Sequence, residues 1–184
     1  MPKKITITEL KKHLLQLDQQ EMVELVCRIH KTCPDAAGML TTEFGSGNYE
    51  EELFEECKKK IRNQFFPKRG MGMLSLVTAK KAITEYKKVS KSPENLLELQ
   101  VYYTECCAEF LDAYGDGPES LYNSTSSMFE TVVKGLNKEN STELFRQYYP
   151  RLEKILDNLN GVGYGLEDDM RYILTDMLDW SEEE

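Results

Sequence analysis

Between Ser92 and Pro118 the chain reads SPENLLELQVYYTECCAEFLDAYGDGP, and no other stretch limits the possible fold so firmly. Of the 21 residues from Glu94 to Tyr114, 13 are apolar, aromatic, Cys or Ala, and they lie round the whole helical circle instead of along one stripe. A helix apolar on every side belongs in the middle of its domain. Ser92 supplies an N-cap oxygen, Pro93 stands at the first helical position where its missing N–H costs nothing, and Gly115 tolerates the positive φ that ends a helix. The remaining chain is expected to pack round this element.

The flanking sequence supplies the helices that can do so. Thr6 with Glu9 and Asp18 with Glu21 are capping boxes, each bracketed by an apolar pair, Ile5 with Leu10 and Leu17 with Met22, that staples the entering chain to its helix. They predict two short antiparallel helices, the first burying Leu10, Leu14 and Leu17, the second Met22, Leu25, Val26 and Ile29. A third helix is expected over 35–44, ended by Gly45. Asn48 with Glu51 opens a helix over 49–66 that sets Leu53, Cys57, Ile61 and Phe65 four residues apart, with acids in its first turns and bases in its last, as the helix dipole favours. PKRGMG, residues 67–72, breaks the patterns on both sides.

The helix over 74–89 buries Leu76, Ala79, Ile83 and Tyr86 and leaves Lys80, Lys87 and Lys91 in one row, with Lys81 and Lys88 in another. After the central helix, 119–136 buries Leu121, Met128, Phe129, Val132 and Leu136, and Asn140 with Glu143 marks the next start. Leu144, Tyr148, Leu152, Ile155 and Leu159 keep one helical phase across Pro150, so this stretch reads as one kinked helix although an interior proline removes a hydrogen bond. A last helix spans 166–178, and the tail SEEE is expected to fray. No stretch alternates with period two for long. The fold class is all-α: an irregular helical bundle or short superhelix of seven to nine helices built from antiparallel helical hairpins, with no fixed repeat period. We expect a single domain over 1–184, with room for an N-terminal lobe, 1–66, joined through the loop 67–72.

At 184 residues the chain can bury a core without staples, and five irregularly spaced cysteines fit reduced thiols better than a disulfide framework. No apolar run is long enough to span a bilayer and the N-terminus carries no signal core, so the expected setting is the cytoplasm, without a membrane partner. Net charge is −9, yet from Cys57 to Lys91 eleven Lys or Arg stand against one acid, Glu85. One basic segment sits in an acidic protein.

Patterns that suggest chemistry dissolve on inspection. Cys27, His30 and Cys33 have ligand spacing but no second pair to complete a zinc site. Neither histidine follows a Glu by three residues, as a di-iron bundle requires. Asp112, Asp116 and Gly117 match part of a calcium loop that Tyr114 and Asn123 then violate. Gly161, Gly163 and Gly165 lie between helices, where a dinucleotide site needs a strand. We assign no catalytic residue, no cofactor and no metal, and an enzyme is not expected.

KITITELKKHLLQLDQQEMVELV, YKKVSKSPENLLELQVYYTE and FLDAYGDGPESLYNSTSSMFE resemble segments of a bacterial family of small proteins classed as a domain of unknown function. The resemblance covers most of the chain and implies a helical fold and no activity. The start, ITITELKKHLLQLDQQEMVELV, is also similar to the SAP motif of DNA-binding proteins, but lacks the glycine between its helices and carries Asp18 and Glu21 in the turn, which argues against DNA binding there. The expected function is that of a non-enzymatic helical interaction or scaffold module, with a protein partner or self-association. The alternative is nucleic-acid or phosphate-anion binding through the basic segment, by Lys58, Lys59, Lys60, Arg62, Lys68, Arg69, Lys80, Lys81, Lys87 and Lys88 along one edge.

Overall fold

The computed structural model describes residues 4–70 and 72–179. Among these residues there is no strand, and nine helices follow in order: α1 (Ile7–Leu14), α2 (Gln19–Thr32), α3 (Pro34–Phe44), α4 (Tyr49–Phe65), α5 (Leu76–Val89), α6 (Pro93–Tyr114), α7 (Glu119–Glu139), α8 (Thr142–Asn158) and α9 (Leu166–Met177). None is long and apolar enough to cross a membrane. The SEEE tail and Met71 of the 67–72 loop lie outside the described residues.

The chain divides into two compact units, Met1–Tyr49 and Glu50–Glu184. The division falls at the first residue of α4, and the 67–72 loop lies inside the second unit. The reason is that α4 is sealed into that unit's core: Cys57 is fully buried and its thiol donates to the Ala82 carbonyl of α5 at 3.4 Å, while the Phe65 ring meets Tyr103 of α6 edge-on at 5.8 Å.

In the second unit α6 takes the place its composition demands. It packs on α5, α7 and α8, and α9 closes the unit against α7 and α8. Its N-terminus is capped by the Ser92 hydroxyl, which accepts the Asn95 N–H at 3.1 Å, and Gly115 ends it in the left-handed region at φ 73°. Leu97, Leu99, Val101, Tyr103, Cys106, Cys107, Ala108 and Leu111 are all buried. Two buried hydroxyls find partners: Tyr103 Oη and Ser124 Oγ of α7 are 2.6 Å apart, and Thr104 Oγ1 donates to Gln100 O.

Helix α8 runs through Pro150 without a break. The carbonyl this proline leaves unpaired belongs to Arg146, and Arg146, Gln147 and Pro150 are exposed, so water can satisfy it. Its N-cap is Ser141, not Asn140. Asn140 instead takes a left-handed turn (φ 46°) that ends α7 three residues later than expected, a conformation asparagine tolerates better than most residues.

The first unit departs from expectation in one respect. Both capping boxes form as read: Glu9 N–H to Thr6 Oγ1 at 3.2 Å with Thr6 N–H to Glu9 Oε2 at 2.9 Å, and Glu21 N–H to Asp18 Oδ1 at 2.8 Å with Asp18 N–H to Glu21 Oε2 at 2.9 Å. Yet the residues expected to be buried are not. Leu14, Leu17, Met22 and Leu25 are half-buried, while Leu10, Val26 and Ile29 are exposed. Helices α2 and α3 pack together, but these three helices enclose no interior, and Gly38 is the single buried residue among those described in this unit.

Candidate functional site

One line of polar side chains runs along the otherwise apolar α6: Glu98, Tyr102, Glu105 and Glu109, at spacings of four, three and four that keep them on one helix face. Helix α4 faces this line with Lys58 and Arg62, and α8 faces it with Arg151 and Lys154. Lys58 Nζ lies 3.5 Å from Glu98 Oε1. The Arg62 guanidinium engages Glu109 through both terminal nitrogens, with Nη2 to Oε1 at 2.8 Å, and stacks over Phe66 at 4.1 Å from the ring centroid. Arg151 clamps two carboxylates at once: Nε and Nη2 donate to Glu105 at 2.7 and 2.9 Å, and Nη1 and Nη2 donate to Glu98, the latter at 3.2 Å.

These pairs are only partly open to water, with 19% of the Glu98 side chain and 28% of Arg151 exposed. Burial pushes the Glu98 carboxyl up, but the hydrogen bonds and charge of Arg151, helped by Lys58, outweigh it and hold the group below the ordinary carboxylate range. The Arg62 hydrogen bond likewise lowers Glu109. The cleft above the seam has a volume of about 420 Å³ and includes Cys106, whose thiol burial pushes up to about 11. A thiol so hard to ionise is a poor nucleophile. Each guanidinium in the cleft is already committed to carboxylates, and Lys154 is the one cation lining it that has no ion pair among the described residues. The seam joins three helices, α4, α6 and α8.

The ten basic residues singled out from the sequence separate into groups. Lys58 and Arg62 belong to the seam; Lys60 and Lys81 share Glu85, at 4.0 and 3.7 Å; Lys80 lies half-buried with Nζ 5.9 Å from the Tyr103 ring centroid. Lys59, Lys68, Arg69, Lys87 and Lys88 are exposed. At least half of the set thus faces groups of its own molecule. The signal for this was available: the spacing of Glu98, Glu105 and Glu109 marks an acidic face on α6, which the apolar content of that helix obscured.

The first unit presents a surface of another kind. Ile7, Leu15, Val23, Met39 and Phe44 are more than half exposed, and Leu10, Val26 and Ile29 are more than a third exposed. Between α2 and α3 lies a cleft of about 460 Å³ lined by Val26, Cys27, His30, Leu40, Thr41 and Phe44. Residues 1–49 carry six basic and six acidic side chains, a net of zero, so the whole −9 of the protein belongs to residues 50–184. All five cysteines are free thiols, and the described residues hold no group of three His, Cys, Asp or Glu side chains arranged for a metal ion. The chain matches no protein-family model, no curated protein and no solved structure.

Proposed function

We propose that this chain is a non-enzymatic helical interaction module that pairs with a second copy of itself through α1, α2 and α3, in the reducing cytoplasm that its free thiols suit. The observation that carries the reading is the mismatch in the first unit: helices specified by two complete capping boxes bury almost nothing. Such helices draw their stability from a covered apolar face rather than from propensity. A standard interface removes about 800 Å² per partner, of which roughly 450 Å² is apolar. Fully burying a Leu, Ile or Phe contributes about 1.5–3 kcal/mol at about 25 cal/mol/Å², or roughly 60–120 Å² each. Nine exposed side chains, the eight above and Ile5, at about half exposure therefore supply roughly 300–600 Å². The area suits one partner.

Charge favours a second copy as that partner. Two bodies of net −9 repel each other, and residues 1–49, which carry no net charge, are the part of the chain where contact adds no repulsion of its own. Sedimentation equilibrium of the full chain tests the pairing. The mass should climb from 21.3 kDa toward twice that value over about 1 to 100 μM, and Val26→Lys with Ile29→Lys should hold it at the lower value. A mass of 21.3 kDa across the range would sink the self-association reading. Anion binding through the basic segment draws less support, because Lys58, Lys60, Arg62 and Lys81 are already in ion pairs.

A further inference from the structure

In the second unit, the N-terminal half of α7, Tyr164 of the loop 161–165 and the start of α9 line a cleft of about 490 Å³, inside the usual size range of small-ligand sites. Two tyrosines form one corner of it. The Tyr122 and Tyr164 ring centroids are 5.1 Å apart and their planes meet at 72°. Tyr122 is buried and fixed, since its hydroxyl donates to Asp116 Oδ1 at 2.8 Å and the same oxygen accepts the Gly117 N–H at 2.7 Å. Tyr164 is the opposite case: 85% exposed, and held at φ 64° in the left-handed region that glycine enters freely and tyrosine does not. Neither burial nor backbone comfort accounts for a tyrosine there. Its ring's role is to wall the cleft.

The remaining walls are acidic and neutral. Glu119, Glu130 and Asp169 line the cleft with Asn123, and no Lys, Arg or His does. Glu130 is occupied by Lys134 at 2.7 Å, whereas Glu119 and Asp169 have no cationic partner among the described residues. The start of α9 would bring positive dipole toward the same space, but Glu167, Asp168 and Asp169 stand in its first turn and offset it, and Arg171 is drawn away to Glu167 at 2.7 Å. An anion would meet carboxylates, and a neutral apolar ligand would leave them desolvated without a partner.

The geometry points to a binding site for an organic cation, an ammonium or guanidinium group seated against the Tyr122 and Tyr164 rings and paired with Glu119 and Asp169. Aromatic faces attract such groups through the ring quadrupole, and the open carboxylates supply the charge. The cation is either a free amine or the side chain of a basic peptide, and two probes separate these sources.

The test uses the full chain, following tyrosine ring resonances while titrating choline against its neutral isostere 3,3-dimethylbutan-1-ol, and in a second arm N-acetyl-arginine amide. At least one cation should bind about tenfold tighter than the neutral isostere, shifting the Tyr122 and Tyr164 signals. Preference for choline identifies a free amine, and preference for the arginine derivative a peptide side chain. Tyr164→Gly suits the left-handed backbone and should melt within a few degrees of the parent while losing about tenfold in cation affinity. Glu119→Gln with Asp169→Asn should lose as much. Equal affinity for choline and its isostere, ring signals unmoved by every probe, or full affinity in Tyr164→Gly would each overturn the assignment.

Discussion

Tyr103→Ala should lower the stability of the protein by about 4 kcal/mol, the largest loss expected from a single truncation in α6. Its ring is fully buried, meets Phe65 of α4 edge-on, and reaches Ser124 of α7 through its hydroxyl, so one side chain ties α6 to two neighbours. Alanine leaves a cavity the size of the ring, and the helices round it are held by too many other contacts to collapse into it. For a domain of this size the melting temperature should fall by roughly 8–16 °C, read by calorimetry. Tyr103→Phe separates the two parts of the effect: it keeps the ring, strands the Ser124 hydroxyl, and should cost only about 1 kcal/mol. Burial raises the Tyr103 phenol above its ordinary value of 10.0, so its contribution is complete below pH 10 and is lost as the pH rises beyond it toward the folded value. A loss under about 1 kcal/mol in Tyr103→Ala would mean that α6 is not the element round which this unit is built.

Arg151→Ala should cost about 2–4 kcal/mol. The truncation removes four hydrogen bonds and leaves Glu98 and Glu105 facing each other without their shared partner; Lys58 remains near Glu98 at 3.5 Å. The estimate stands below that for a fully buried pair because these side chains keep some contact with water. The pH dependence carries a sign. The folded-state Glu98 carboxyl is lowered from 4.5, so its contribution is present above pH 4.5 and disappears as the pH falls through the lower folded value. Without Arg151 the same carboxyl is dominated by burial and takes up a proton more readily. The stability gap between parent and variant should therefore narrow on acidification below about pH 4.5, as urea titrations at several pH values would show. A gap that stays constant down to pH 3 would remove the seam from the account of stability.

How far the sequence reached differs from element to element. The caps of α6 were legible because Ser92, Pro93 and Gly115 act through local backbone geometry, which needs no knowledge of the rest of the fold. The same holds for the boxes at Thr6 and Asp18, and for the continuity of α8, where five apolar residues in one phase outweighed Pro150. Asn140 went the other way because asparagine serves equally well at the end of one helix and the start of the next, and the adjacent Ser141 took the second role. Periodicity told which face of α1 and α2 is apolar but not what covers it. Leu10, Val26 and Ile29 follow a burial pattern and stay exposed, since an apolar stripe is a requirement for a partner and does not name one.

The basic segment shows a limit of composition. Its charge is conspicuous because the partners of Lys58 and Arg62 lie 40 and 47 residues away in sequence, on α6; folding brings Lys58 to Glu98 and Arg62 to Glu109. A charge run read along the chain looks unpaired whenever its partners come from another helix. The cleft of Tyr122 and Tyr164 escaped notice for a related reason. Its residues come from α7 and from a glycine-rich loop 42 positions later, and the signal lay in one tyrosine set among Gly161, Gly163 and Gly165, where a fourth glycine would fit as well.

Amide hydrogen exchange of the full chain at about 1 and 100 μM tests most directly the claim that α1, α2 and α3 form half of an interface completed by a second copy. Residues of α1 and α2 should exchange at least about tenfold more slowly at the higher concentration, while α6, whose core is complete within one chain, should exchange alike at both. Protection of α1 and α2 that is the same at both concentrations would contradict the account, and would mean that these helices stand without a second copy of the chain.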